Sequence, residues 1–181
     1  MTLRFLNPTG TIRLVSLLDE ALQRARVTVA EKNPDLPVRE LDTLAWQVGI
    51  GAVKYADLAN SRSRNYVFDL DRMISLDGNT GLYLQYAHAR IWSVLRRAGG
   101  LPAVASDEPL SSSPWEPVER NLALRLDELP AVLASVSKSL EPHRLCGHLY
   151  AIAQDYTQFY EPESTDAGFP GGVGLVIDRL G

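Results

Sequence analysis

The sequence has a single cysteine, Cys146, among its 181 residues, so no internal disulfide bond can form. It also lacks a basic, apolar leader at its start and any apolar run long enough to cross a bilayer. These absences argue against a disulfide-stapled secreted domain and an integral membrane protein. They predict a cytoplasmic protein with no membrane partner.

The sequence also has fewer basic than acidic residues. The chain has 18 lysine and arginine residues against 22 aspartate and glutamate residues, which gives a net charge of −4. A long-range field of this sign repels phosphates, so any nucleic-acid contact must come from a local basic patch. One such zone exists between Asp77 and Asp107, where no acidic residue occurs. Its arginines are Arg90, Arg96 and Arg97.

The sequence contains no spacing that predicts catalysis or a metal site. His143 and His148 are five residues apart, and Cys146 between them falls on another side of the predicted helix. Gly49 and Gly51 lie inside a helical pattern and do not follow a strand, so they do not predict a phosphate-binding loop. We therefore assign no catalytic residue and no metal ligand.

Apolar residues, which make up 45% of the chain, recur mainly at helical spacing. The pattern predicts helices over 16–33 and 38–58, a helix from Thr80 to about Gly99, two shorter helices within 118–140, and a last helix after Pro142. Alternation typical of strands is scarce, so the predicted architecture is helical.

The helix from Thr80 carries aromatic and basic side chains in one line. A sector roughly 60° wide, at the α-helical turn angle, contains Tyr83, Tyr86, Arg90 and Arg97. It lies beside a predicted core stripe made of Leu84, Ala87, Ile91, Val94, Leu95 and Ala98. Unpaired RNA bases stack on tyrosine and arginine planes, which contributes about 1–3 kcal/mol per base. The sector is therefore a candidate RNA-binding strip, or else a row of tyrosines flanking the core beside a solvated face of arginines.

The same helix resembles a known family. Residues 77–99, DGNTGLYLQYAHARIWSVLRRAG, look like the opening of the DALR-type anticodon-binding domain of arginyl-tRNA synthetases, which are class I aminoacyl-tRNA synthetases. YLQYAHAR is the most specific part. Upstream, VGIGAVKYADLANSRSRNYVFDLDRM resembles the family's junction between catalytic core and anticodon domain, and downstream EPHRLCGHLYAIAQDYTQFYE resembles its helix ending in Phe-Tyr-Glu. The resemblance covers most of the chain.

This resemblance implies an all-α fold, an incomplete helical bundle of the anticodon-binding type. Its segments are a stem left from the catalytic side at 1–76, the bundle at 77–161 and a divergent tail rich in glycine and proline at 162–181. The implied partner is an arginine-accepting tRNA. The implied tRNA-binding residues are Tyr83, Tyr86, Arg90 and Arg97 on the strip, with Tyr150 and Tyr160 on the later helix. We expect Tyr156 and Phe159 on that later helix to be core residues.

The chain departs from the family at both ends. The family's positively charged loop, which stabilises the phosphates of ATP, corresponds here to residues 5–10, Phe-Leu-Asn-Pro-Thr-Gly, which carry no charge. The nucleotide-binding core and arginine pocket have no counterpart. We therefore predict that the chain alone is inactive and binds no cofactor, although the full-length family uses ATP and arginine. Past residue 161 the family continues with further helices, so we expect apolar stripes left uncovered, with self-association as one outcome.

Three hypotheses remain open. The chain is a tRNA-binding part of an arginine–tRNA ligase and needs a catalytic core that it lacks. Alternatively, it is a helical scaffold that binds a protein partner, or a truncated remnant without function. Finally, the catalytic half is encoded separately and completes a split enzyme.

Overall fold

The computed structural model describes residues 14–64, 67–97, 99–100 and 114–160. Over these residues the chain forms seven helices and no strand, which confirms the all-α prediction. The helices are α1 (Leu14–Lys32), α2 (Val38–Ala59), α3 (Leu70–Met73), α4 (Gly81–Arg97), α5 (Pro117–Asp127), α6 (Leu129–Ser139) and α7 (Pro142–Tyr160). The uncharged loop at 5–10 and the tail at 162–181 lie outside the described residues.

Helices α1 and α2 pack as an antiparallel hairpin. Its seam is filled by small and branched side chains, namely Ala21, Ala25 and Val29 on α1 and Leu41, Leu44 and Val48 on α2. The helices approach closely at Gly49, where a β-carbon would lie 2.9 Å from the carbonyl oxygen of Ala21. Close packing of the two helices therefore explains why a glycine occurs inside the predicted helix.

The short helix α3 was not predicted, since four residues are too few to display a helical period. It begins where the Asp69 carboxylate accepts a hydrogen bond from the backbone N–H of Arg72, at 3.2 Å. Leu70, Met73 and Ile74 are buried and extend the core of the hairpin.

Helix α4 begins and ends with the residues that the sequence indicated. The Thr80 hydroxyl oxygen accepts a hydrogen bond from the backbone N–H of Tyr83 at 3.1 Å, so Thr80 is the cap. The next residue, Gly81, packs on α2, where an added β-carbon would come within 3.0 Å of the carbonyl oxygen of Gly51. Gly99 and Gly100 have φ of 94° and 102°, which confirms the predicted helix stop.

Helix α7 is the centre of the second half of the chain, because it contacts α2, α4, α5 and α6. Neither α5 nor α6 contains a buried residue. Leu124 and Leu126 on α5 are each 48% exposed, and Leu133 on α6 is 47% exposed. These values match the apolar stripes predicted for this part of the chain.

Candidate RNA-binding surface

On α4, Tyr83 packs against α7 and Tyr86 follows three residues later, and each is only 6% exposed. The ring of Tyr83 meets the half-buried ring of Tyr150 edge-on, with centroids 5.3 Å apart and planes at 63°. Ala87 and Ala153 complete this small core. The two tyrosines therefore do not lie on an open strip, and this corrects their predicted position. Their role in RNA binding stays a prediction.

The predicted core stripe of α4 is less buried than expected. Of the described members, Ala87 is buried, whereas Leu84, Ile91, Val94 and Leu95 are half-buried. The physical reason is that α7 covers Tyr83, and a phenol ring supplies as much apolar surface to a helix interface as a leucine does. Burial raises the pKa of Tyr83, an effect opposed by a hydrogen bond with Thr157 and by the charge of Arg90.

Arg90 reaches from α4 to the end of α7. Its guanidinium carbon lies 4.9 Å from the centre of the Tyr160 ring, which is cation–π geometry. The Tyr160 ring in turn lies parallel to that of Tyr156, with centroids 6.0 Å apart and planes at 14°. Tyr160 is 43% exposed, so this stack of one cation and two rings ends at the surface.

Tyr156 and Phe159 differ from each other in burial, although both were predicted to be core. The hydroxyl of Tyr156 is buried, and burial raises its pKa. Phe159 is 40% exposed, so its assignment to the core was wrong. It lies in the last turn of α7 and borders an open pocket of about 380 Å³, whose α5 side includes Leu122 and Leu126.

Phe159 and Trp115, which also borders that pocket, are exposed aromatic residues that sequence reasoning did not assign to a surface. Both have the ring area that base stacking requires. The available signal for Phe159 was its place beside Tyr160 at the predicted end of a helix. For Trp115 it was a lone tryptophan next to Pro114, outside any periodic pattern.

Two further arginines follow Arg90 on α4, and one carboxylate on α7 is paired within the bundle. Arg96 and Arg97 are exposed in the last turn of α4. On α7, the Asp155 carboxylate accepts a hydrogen bond from Nε of Arg125 at 2.9 Å, so its charge is balanced within the bundle. The local positive zone predicted from the sequence is therefore not opposed by a free carboxylate at Asp155.

Two pairs of the site residues predicted from the sequence are in contact. Tyr83 contacts Tyr150, and Arg90 contacts Tyr160. Tyr86 is buried on α4, and Arg97 is exposed seven residues beyond Arg90 on the same helix. Within the described ranges, no group of His, Cys, Asp and Glu side chains could hold a metal ion. None of the described helices is long and apolar enough to span a bilayer.

Two protein-family models match this sequence. The DALR anticodon binding domain matches residues 84–165, which run from the fourth residue of α4 past the end of α7. The catalytic domain of class I tRNA synthetases for arginine matches residues 6–70, which contain α1 and α2. Together the two matches divide the chain near the start of α4.

The curated relatives are arginine–tRNA ligases. The protein of Frankia casuarinae is 54% identical over 151 residues, which is 83% of this chain and 25% of the relative. The protein of Thermobifida fusca is 51% identical over 150 residues, again 83% of this chain and 26% of the relative.

Solved structures of arginyl-tRNA synthetases are also similar to this chain. The arginyl-tRNA synthetase of Thermus thermophilus superposes with a TM-score of 0.73 at 32% identity, over 90% of this chain and 26% of that structure. That of Plasmodium falciparum gives a TM-score of 0.66 at 27% identity, over 86% of this chain and 28% of that structure. The chain thus spans about a quarter of the length of these relatives.

Proposed function

The chain belongs to the arginyl-tRNA synthetase family, and we propose that it binds the anticodon arm of an arginine-accepting tRNA. The observation that carries the proposal is the coincidence of the anticodon-binding match at 84–165 with a cation–aromatic stack on α4 and α7. Exposed aromatic rings beside arginines are the combination that holds unpaired RNA bases and their phosphates.

Tyr160 and Arg90 are the proposed centre of the surface. The exposed part of the Tyr160 ring offers a stacking platform, and Arg90 supplies positive charge against it. Arg97 extends the positive charge along α4 toward phosphates. Tyr150 is half-buried, and its hydroxyl accepts a hydrogen bond from Nε2 of Gln154 at 3.2 Å.

Tyr83 and Tyr86 belong to the same proposal in a second role. At 6% exposure they have little ring area to offer to a base, so their main effect is on packing, and Tyr83 holds α4 against Tyr150 of α7. The relative position of these two helices sets the distance between Arg97 on one and Tyr160 on the other.

Aminoacylation requires more than these residues supply. The catalytic-domain match is confined to residues 6–70, and the loop at 5–10 is uncharged. Adenylate formation needs ATP, arginine and preorganised charge in one site. We therefore propose that this chain contributes to arginyl-tRNA formation only together with a catalytic core, which would bind the ATP and the arginine. Pyrophosphate exchange by the chain alone, dependent on arginine and tRNA, should not exceed a control without protein.

The direct test is a binding titration. Arginine tRNA and an unrelated tRNA are titrated into the chain at the same salt concentration, with the isolated anticodon stem-loop of the arginine tRNA as a third ligand. We expect the arginine tRNA and its stem-loop to bind more tightly than the unrelated tRNA. Equal affinity for all three would instead favour the second candidate.

That second candidate is a helical scaffold that binds protein, including another copy of itself. It is favoured by one observation, the absence of any buried residue on α5 and α6 together with their exposed leucines. A remnant without function would show neither tRNA binding nor association.

A further inference from the structure

The end of α2, the end of α6 and the start of α7 meet at one corner of the fold. In the turn that follows α2, Nη2 of Arg62 donates a long hydrogen bond of 3.4 Å to the carbonyl oxygen of Ser139, the last residue of α6. On α2 itself, the Tyr55 hydroxyl donates to the carbonyl oxygen of Cys146 in α7 at 3.1 Å. These contacts place the turn after α2 beside the point where the chain leaves α6 and enters α7.

Three exposed cations lie at this corner. They are Arg62 and Arg64 in the turn and Lys138 in the last turn of α6, and we call the three the basic corner. None of them forms an ion pair with a carboxylate among the described residues. The acidic residue between α6 and α7, Glu141, is neutralised by Arg144, whose Nε lies 2.6 Å from its Oε2. The basic corner therefore offers positive charge to a partner.

Helix α7 connects the basic corner to the Arg90–Tyr160 stack. It begins at Pro142, three residues after the end of α6, and ends at Tyr160. Its 19 residues make it about 27 Å long. The one acidic residue within α7, Asp155, is paired with Arg125 of α5. No free carboxylate of α7 thus separates the two ends.

We propose that the basic corner binds the phosphate backbone of a tRNA stem while the Arg90–Tyr160 stack holds the anticodon loop. Exposed lysine and arginine side chains bind phosphates because neutralising them releases the counterions condensed on the RNA. The geometry fits, since two contacts about 27 Å apart need an extended partner and duplex RNA continues from the loop as a rod of phosphates. The inference rests on the proposed function, which puts the loop at the stack.

The test uses the full chain and three RNA ligands at several salt concentrations. The ligands are arginine tRNA, a short RNA hairpin that carries its anticodon loop on a minimal stem, and a long RNA hairpin with the same loop on a stem of one full helical turn. Arg62→Ala/Arg64→Ala should weaken binding of the tRNA and of the long RNA hairpin. The slope of log affinity against log salt should fall by about 1.5 for both, the effect of two lost phosphate contacts. Binding of the short RNA hairpin should stay at the wild-type level.

Two control variants separate a phosphate contact from general charge. Lys32→Ala/Arg39→Ala removes two exposed cations at the opposite end of α2 and should leave the salt slope unchanged for every ligand. Arg62→Lys/Arg64→Lys keeps the charge and should keep most of the slope, because lysine binds phosphate as a point charge.

A further variant covers the case in which loss of the Arg62–Ser139 contact loosens the fold. Lys138→Ala leaves that contact in place and should lower the slope for the long RNA hairpin by about one. Circular dichroism shows which variants are folded.

The ligands also distinguish failure of the inference from failure of the proposed function. Wild-type slopes in folded Arg62→Ala/Arg64→Ala and Lys138→Ala overturn the inference. An equal loss for the short and long RNA hairpins overturns it too, since the corner would then contact the loop. The proposed function is tested by the wild type alone, which should prefer the short RNA hairpin to one with an unrelated loop. If that preference is absent while the basic corner still sets the slope, only the anticodon assignment fails.

Discussion

At the scale of single residues, substitutions of Arg90 and Tyr160 should distinguish two kinds of RNA contact, base stacking and phosphate binding. If Tyr160 stacks on a base, Tyr160→Ala should cost about 1–3 kcal/mol of tRNA affinity, with little change in salt dependence. If Arg90 meets a phosphate, Arg90→Ala should weaken binding and also flatten the slope of log affinity against log salt by about one. The measurement is a tRNA titration at several salt concentrations.

The control for this pair is Arg39→Ala, which removes an exposed arginine from the start of α2. Any change in tRNA affinity or in the salt slope should be no larger than the effect of removing one distant charge. Wild-type affinity and slope in both folded variants, Arg90→Ala and Tyr160→Ala, would remove the stack from the binding surface. The scaffold hypothesis would then be preferred.

For Tyr86 we make a different prediction, because its side chain is buried. Tyr86→Ala should lower the free energy of unfolding by about 3 kcal/mol, through lost burial and the cavity left behind. Tyr86→Phe keeps the ring and should cost about 1 kcal/mol or less. Urea denaturation followed by circular dichroism measures both. If Tyr86→Ala weakens tRNA binding without any loss of stability, the ring contacts RNA directly.

The burial of the α4 tyrosines is a feature that the sequence alone could not predict. The helical wheel correctly grouped Tyr83 and Tyr86 on one sector of α4. Which sector is buried depends on α7, which begins 45 residues after α4 ends, at Pro142. Periodicity within one helix contains no information on where another helix packs. The wheel therefore chose the aliphatic sector, and the structure buries the tyrosines.

At the scale of helices, Gly49 and Gly147 form a matched pair. A β-carbon on Gly49 would lie 2.9 Å from the carbonyl oxygen of Ala21, and this backbone atom cannot move without separating α1 from α2. A β-carbon on Gly147, in α7, would meet nothing within 4 Å. Gly147→Ala should therefore stabilise the chain by up to about 1 kcal/mol, the difference in helix propensity.

Gly49→Ala should be destabilising in spite of the same gain in propensity. Urea denaturation of the two variants side by side gives the comparison. Similar stabilisation by both substitutions would show that the hairpin can open by a few tenths of an ångström without cost, and would contradict the close approach at Gly49.

Helix positions were largely predictable from sequence for a physical reason. Long amphipathic helices repeat their apolar residues often enough to be recognised, and α1, α2, α4 and α7 each have at least 17 residues. Their ends are marked by local chemistry, such as the Thr80 cap and the glycines with positive φ at 99 and 100. Helix α3 has neither the length nor the repeat, and its cap at Asp69 is a common residue in loops as well.

At the scale of the whole molecule, the two halves differ in how they bury apolar surface. The hairpin and α3 share a core of eleven buried residues with α4, whereas the buried cluster between α4 and α7 has three. Helices α5 and α6 add none. Each square ångström of apolar surface left in water forfeits about 25 cal/mol of stabilisation. The second half of the chain therefore gains from any contact that covers its exposed leucines.

This asymmetry predicts self-association through α5 and α6. Sedimentation velocity should show a weight-average mass that rises with concentration, because association covers Leu126 and Leu133. Replacing both leucines with lysine should keep the chain monomeric. The control is Val27→Lys, which changes an apolar residue on α1 that is 58% exposed and should leave association unchanged. A sharp thermal transition of a monomer, independent of concentration in the wild type, would contradict the prediction and imply that the exposed leucines are tolerated in water.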